Sequence, residues 1–270
     1  MIKLVSYEAR ELVNLLKAYS KIIPNPVVEF RRGGMSIIGM DENQVALGII
    51  HFSVDHLDEF GGYEVEREVG ISLDLRFIRD IPVYSEDVLE LEVVDESPQR
   101  CLSTYCKMNL RISGKSEREY TQEVLVFNNI GKVGDEGIIK IPNIWYENGA
   151  VGEYQLFADS VRAFRGVSKT VRIRIEDEKL ILEGSGERDN LKVEMESSSE
   201  MSVWNNEERA VATFDLGYLL KILKVFDAYF IYEIHIGLNT DCPLELGGPF
   251  MRGSGSITFY LAPLCRGEKH

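Results

Sequence analysis

Two stretches of this chain repeat one another at an offset of 141 residues (213 minus 72): Ser72-Leu73-Asp74-Leu75 and Thr213-Phe214-Asp215-Leu216. Each places a hydroxyl residue two positions before an Asp that opens a helical pattern. That arrangement caps a helix N-terminus and complements its macrodipole. An alternating strand follows the helix in both copies, over residues 88–93 and 229–236. Each half therefore reads strand, helix, strands, helix, strands. The fold class expected is α+β, two tandem duplicated domains with helices on one face of antiparallel sheets.

Four segments carry helical spacing. Residues 8–23 place Leu12, Leu15, Leu16, Tyr19 and Ile23 on one face, and Pro24 and Pro26 stop the pattern. Residues 74–81 form a shorter helix ended by Pro82, and 157–169 form a third. Residues 215–227 form the fourth, striped by Leu216, Leu219, Leu220, Leu223 and Phe226. Strand runs lie between them, at 27–31, 35–40 and 44–52, and again at 170–176, 179–183 and 190–196. Asp177-Glu178 and the loop 184–189 (GSGERD) punctuate the second set as hairpin turns. Residues 128–142 (NNIGKVGDEGIIKIP) read as a linker, in which Ile130, Val133, Ile138 and Ile139 either cover a groove or partner or pack on the nearest sheet. The domains expected are 1–127 and 143–265, with that linker between them and a tail at 266–270.

Charge narrows the partners. Thirty basic residues against 44 acidic leave a net −14, which by itself disfavours broad nucleic-acid binding and repels anionic membranes. The cations, however, gather on the helical segments. Arg10, Lys17 and Lys21 share one face of the first helix, and the second offers Arg76 and Arg79. The third places Arg162, Arg165 and Lys169 in register, and the fourth Lys221 and Lys224. These segments hold ten basic and seven acidic residues, +3, so the remainder carries −17. One such stripe is ordinarily a solvated face. All four sharing it in an acidic chain describes a basic surface on an acidic body, suited to salt-sensitive, sequence-independent phosphate contact. No aromatic residues interleave the stripes, which disfavours stacking on single strands.

Other classes find no support. The chain has no P-loop, no dinucleotide fingerprint, no nucleophile elbow and no zinc spacing, so no catalytic residue, no cofactor and no metal is expected. The four histidines form no ligand pattern. Cys101 and Cys106 stand at a spacing foreign to zinc ribbons and redox pairs, and idle thiols in a reducing compartment are the plain reading, with a disulfide between them as the alternative. The opening residues lack a signal-peptide pattern, and no apolar run reaches bilayer length, so an intracellular, non-membrane chain is expected.

The ending Ser256-Ile257-Thr258-Phe259-Tyr260-Leu261-Ala262-Pro263, with Asp241-Cys242-Pro243-Leu244 upstream, resembles the C-terminus of DNA sliding clamps of the proliferating cell nuclear antigen (PCNA) family in their archaeal-like form. Gly39-Met40-Asp41 followed by Val45-Ala46-Leu47 is similar to that family's Met-Asp segment. The resemblance implies a ring-shaped trimer around double-stranded DNA, acting as a polymerase processivity factor in replication and repair, not as an enzyme. It implies that the ten cations above face DNA. It implies a pocket for polymerase, nuclease and ligase tail peptides at Met40, Ile130, Val133, Pro243, Tyr260, Ala262 and Pro263. Ring closure by strand pairing would use Tyr120, Gln122 and Val124 on one edge and Leu191, Val193 and Met195 on the other. A clamp loader is implied, since no ATP site is visible, as is a place on chromosomal DNA in cytoplasm, nucleoid or nucleus. Subunits would be copies of this chain or paralogues. The alternative is one member of a heterotrimeric clamp, or a clamp-fold interaction scaffold that forms no ring alone. Leu264 departs from the basic residue usual after that proline, and Pro82 shortens the second helix.

Overall fold

The computed structural model describes residues 2–94, 105–114, 117–127, 139, 141–206, 209–250 and 254–264. The chain divides into two compact units. Met1–Asp41, Gly48–Ile141 and Arg252–Ser256 form the first, and Glu42–Leu47, Pro142–Met251 and Ile257–His270 the second.

The first unit runs β1 (Ile2–Ser6), α1 (Ala9–Tyr19), β2 (Val27–Arg31), β3 (Gly34–Met40), β4 (Ala46–Ser53), α2 (Val54–Glu59), β5 (Gly61–Val65), β6 (Val69–Ser72), a 3-10 turn (Leu75–Asp80), β7 (Val88–Val94), β8 (Tyr105–Ser113) and β9 (Arg118–Phe127). β4 begins two residues before the stretch assigned to this unit. The strands order as β3-β2-β6-β9-β8-β7-β1-β5. β2 and β3 pair from Val27↔Ile38 to Arg31↔Gly34. Gly34 turns the hairpin at a φ of 139°, where a Cβ would run into the Phe52 carbonyl oxygen, so only glycine fits. α1 buries Leu12, Val13, Leu15 and Tyr19 and exposes Arg10 and Asn14, as its periodicity requires. The buried Tyr19 hydroxyl donates to the Gly48 carbonyl at 2.8 Å.

Three expectations are corrected here. The first helix stops at Tyr19, and Lys21 lies in the turns that lead to Pro24. The second helix is a six-residue 3-10 turn: Ile81 is already extended (φ −72°, ψ 115°), as a residue before proline tends to be. α2 has no counterpart among the helical segments expected. Ser53 caps it by accepting from the His56 N–H at 3.2 Å.

The second unit contains β10 (Asn148–Glu153), α3 (Tyr154–Arg162), β11 (Thr170–Glu176), β12 (Lys179–Ser185), β13 (Asn190–Glu196), β14 (Met201–Asn205), β15 (Ala210–Asp215), α4 (Leu216–Ala228), β16 (Glu233–Leu238), β17 (Leu244–Pro249) and β18 (Gly255–Leu261), whose first two residues group with the other unit. One set orders as β14-β10-β16-β17-β18, and a separate four-stranded sheet as β13-β12-β11-β15. β11 and β12 meet at Glu176↔Lys179 around Asp177 and Glu178 at φ 51° and 56°, the doubly left-handed turn that suits a right-twisted hairpin.

The duplicated caps take matching roles. Asp74 Oδ1 accepts from the Arg76 N–H at 2.9 Å, and Asp215 Oδ1 from the Tyr218 N–H at 3.0 Å. α4 then buries Leu216, Leu219, Ile222, Leu223, Val225 and Phe226. Two further corrections apply. The third helix spans Tyr154–Arg162, earlier than expected, and is followed by turns that contain Gly166 at φ 81°; Arg165 and Lys169 are therefore not helical. Phe230 at φ 52° breaks the chain after α4, so the strand expected from 229 begins at Glu233.

Candidate functional site

The ten cations separate into two groups. Arg10, Lys21, Arg165, Lys169, Lys221 and Lys224 are exposed. Among the described residues none of the six forms an ion pair, and Lys221 stands over the Tyr218 ring at 5.2 Å. The other four are engaged within their own unit. Lys17 Nζ donates to the Ile81 carbonyl at 2.5 Å, and Arg79 to the Ser20 carbonyl at 2.6 Å, so α1 and the 3-10 turn are laced together by two cations on backbone acceptors. Burial pulls the Lys17 ammonium below its usual range, opposed by the nearby Asp80 carboxylate. Arg76 closes on Asp74 at 2.7 Å, and its hydrogen bonds hold that carboxyl below the ordinary range. Arg162 reaches Asp159 at 3.0 Å and Asp227 at 2.7 Å.

The two strands named as edges differ. β13 is terminal in its sheet and pairs with β12 along its whole length, from Lys179↔Glu196 to Ser185↔Asn190. Leu191 and Val193 are half-buried, Met195 is buried, and the alternate positions face solvent. β9 pairs with β8 from Arg118 to Leu125, and its last residues also pair with β6, at Ser72↔Leu125, Ile71↔Val126 and Gly70↔Phe127. Tyr120, Gln122 and Val124 thus lie on the stretch without a β6 partner among the described residues. Tyr120 packs near Phe77, ring centres 6.4 Å apart.

Of the residues named for peptide docking, Pro243, Tyr260, Ala262 and Pro263 belong to the second unit and are half-buried. Met40 closes β3 in the first unit, and Ile130 and Val133 lie outside the described residues. Two side chains that sequence reasoning missed join the second-unit set. The Tyr146 hydroxyl donates to the Pro243 carbonyl at 2.9 Å. Burial, then the Glu245 carboxylate, pushes the Tyr260 and Tyr146 hydroxyls well above their usual range. A signal for Tyr146 was present: Gly237 interrupts an alternating strand, and a Cβ there would press into the Tyr146 ring. Backbone bonds fix the ending: the Ala262 N–H donates to the Val45 carbonyl at 2.8 Å, and the Leu264 N–H to Thr213 at 2.7 Å.

Comparison with known proteins adds relatives and neighbours to this geometry. The chain is 25% identical over 264 residues to DNA polymerase sliding clamp 1 of Sulfolobus acidocaldarius, covering 97% of this chain and 98% of that protein. It is 24% identical over 257 residues to the DNA polymerase sliding clamp of Methanosarcina barkeri, covering 94% and 95%. Over nearly its whole length the chain is similar to archaeal DNA polymerase sliding clamps. No protein-family model matches it. Solved clamp structures share the fold. PCNA from Thermococcus kodakaraensis superposes with a TM-score of 0.75 at 20% identity, covering 98% of this chain and all of that one. A. fulgidus PCNA, solved with the C-terminal region of FEN-1 bound, gives 0.77 at 21%, covering 99% and 100%. The expected α+β class with antiparallel sheets agrees with the fold of these solved structures. No cluster of three or more potential metal ligands occurs among the described residues, and no helix there is long and apolar enough to cross a membrane.

Proposed function

We propose that this chain is a DNA sliding clamp: it encircles duplex DNA without reading sequence and tethers polymerases, nucleases and ligases through their tail peptides. It performs no chemistry, works inside the cell on chromosomal DNA, and needs a loader to open it. The clamp domains are residues 1–127 and 143–265, joined by the linker 128–142. Subunits join in a trimer by pairing the β9 edge, at Tyr120, Gln122 and Val124, with the β13 edge of a neighbour, at Leu191, Val193 and Met195.

The observation that carries this reading is the set of outward cations, Arg10, Lys21, Arg165, Lys169, Lys221 and Lys224, on or just after the helices of a chain whose net charge is −14. A protein that repels polyanions overall yet presents unpaired cations from each half suits a backbone-only contact with DNA. The sliding clamps it resembles over nearly its full length supply the biological setting.

The test has two stages. Light scattering without DNA is expected to give about three times 30.7 kDa, or three subunits once paralogues are supplied. The assembled protein, loaded on primed circular DNA, is then expected to extend the products of a clamp-dependent polymerase. A trimer that leaves product length unchanged would refute the tether. Replacing Tyr260 and Pro263 by Ala is expected to abolish tail-peptide binding without disturbing the mass.

A further inference from the structure

Trp145 is 80% exposed, the most solvent-facing large apolar side chain among the described residues, yet its backbone is held firmly. Asn239 grips it like a paired strand. Asn239 Nδ2 donates to the Trp145 carbonyl at 2.9 Å, and the Glu147 N–H donates to Asn239 Oδ1 at 3.2 Å. Between them Tyr146 donates to the Pro243 carbonyl and rests its ring on Gly237. Residues 145–147 are thereby stapled to the loop between β16 and β17, and that loop carries Pro243 of the proposed docking pocket. An indole left in water on a pre-ordered backbone is a costly surface for a free protein and a ready anchor for a ligand, because little entropy remains to be lost on binding.

The charge nearby says what the ligand carries. Asp241 lies on the same loop, Glu245 stands at the start of β17, and Glu147 follows Trp145 by two residues. Among the described residues no Lys or Arg forms an ion pair with any of the three. An exposed indole with carboxylates on the segments that hold its backbone favours an ammonium or guanidinium group, by cation–π attraction and by charge.

We infer that Trp145 is a specificity-determining contact for the tail peptide: it selects peptides with a Lys or Arg flanking the apolar plug. This inference rests on the peptide-docking reading above and adds to it a preference set by this chain's own residues. The plug fills the pocket at Pro243 and Tyr260, and the cationic flank lies against the indole.

The experiment uses the full chain and a synthetic peptide copying the FEN-1 C-terminal region seen bound to A. fulgidus PCNA, extended at both ends with Lys-Lys or with Ser-Ser. Binding is measured by calorimetry and by tryptophan emission in a Trp204→Phe background, which leaves Trp145 as the sole indole. The lysine peptide is expected to shift the emission and to bind about five- to thirtyfold more weakly to Trp145→Ala, with Trp145→Phe restoring most of the loss. The serine peptide is expected to bind both proteins alike. Equal affinity of the lysine peptide for the parent and Trp145→Ala would overturn the inference while leaving the pocket standing. Failure of the parent to bind either peptide would instead overturn the docking reading, and the inference with it.

Discussion

Arg162 on α3 and Asp227 on α4 are joined by an ion pair of 2.7 Å, and the same carboxylate accepts the buried Tyr154 hydroxyl at 2.7 Å. One acidic side chain therefore ties the two helices of the second unit and occupies an arginine of the proposed DNA-facing set. Replacing Asp227 by Ala is expected to cost about 1–2 kcal/mol, a modest value because the pair is partly solvated and Tyr154 keeps the Leu223 carbonyl. The guanidinium, left with Asp159 as its carboxylate partner, is expected to tighten DNA binding and steepen its salt dependence. Urea denaturation and a binding titration at several salt concentrations check the two halves; unchanged salt dependence would show that Arg162 does not approach DNA.

In the proposed function the outward cations carry the DNA contact. Changing Lys21, Arg165, Lys221 and Lys224 together to Glu is expected to reduce clamp-stimulated synthesis at least about tenfold at physiological salt, through lost counterion release. Stability is expected to change by less than about 0.5 kcal/mol per site, because none of these side chains supports the fold. The corresponding change at Lys17 and Arg79 is expected to damage the fold itself, since both hold backbone carbonyls. Product-length assays beside thermal melts separate the two sets.

Asp87 and Arg118 form the deepest ion pair among the described residues, 2.7 Å apart with side chains 0% and 12% exposed. Arg118 also donates to the Pro82 carbonyl and stands over the Tyr84 ring at 5.5 Å, so β9 begins locked to the loop before β7. Asp87→Ala is expected to cost about 3–5 kcal/mol, because it leaves the guanidinium buried beside a lost partner. Assembly should weaken in parallel, since the proposed first-unit edge starts at this lock. Denaturant midpoints and mass in solution report the two effects; a trimer of unchanged strength would show that the edge forms without it.

The Asp74 cap predicts a pH effect. Its carboxyl is held low chiefly by hydrogen bonding from Arg76, so its contribution is present above the usual carboxylate range and is lost as pH falls through the lowered folded value. Asp74→Asn is therefore expected to be less stable than the parent by about 0.5–1 kcal/mol at pH 7, the gap narrowing below about pH 4. A urea series from pH 7 to pH 3 measures this directly. A gap that stays constant with pH would mean that the carboxylate's charge adds nothing to the cap.

A void of about 40 Å³ lies in the first unit's core, lined by Leu12, Leu16, Val28, Phe30, Met108 and neighbours. Val28→Ile adds one methylene and is expected to raise stability by up to about 1 kcal/mol if it enters the space without strain. A lowered melting temperature would show that the void cannot accept it.

The periodic elements were legible in the sequence. β2, β11 and β13 occupy the expected residues, and α4 departs from its expected span by one residue at each end, because their apolar alternation or helical stripe was long and bounded by a cap, a turn or a charged step. The repeated Ser/Thr-x-Asp start was equally legible, since a cap acts over two or three residues. What the sequence could not show was how each cation is used. Lys17, Arg79 and Arg162 look the same as Lys21, Arg165 and Lys221 in a stripe. The first three meet partners 64, 59 and 65 residues away, and the second three form no ion pair among the described residues. Local spacing therefore determined α4, the β11–β12 hairpin and the two Asp caps on its own. Only the tertiary structure decided which charges serve the fold and which are left facing solvent, because a salt bridge or carbonyl contact depends on where a distant segment packs and leaves no periodic trace in the chain.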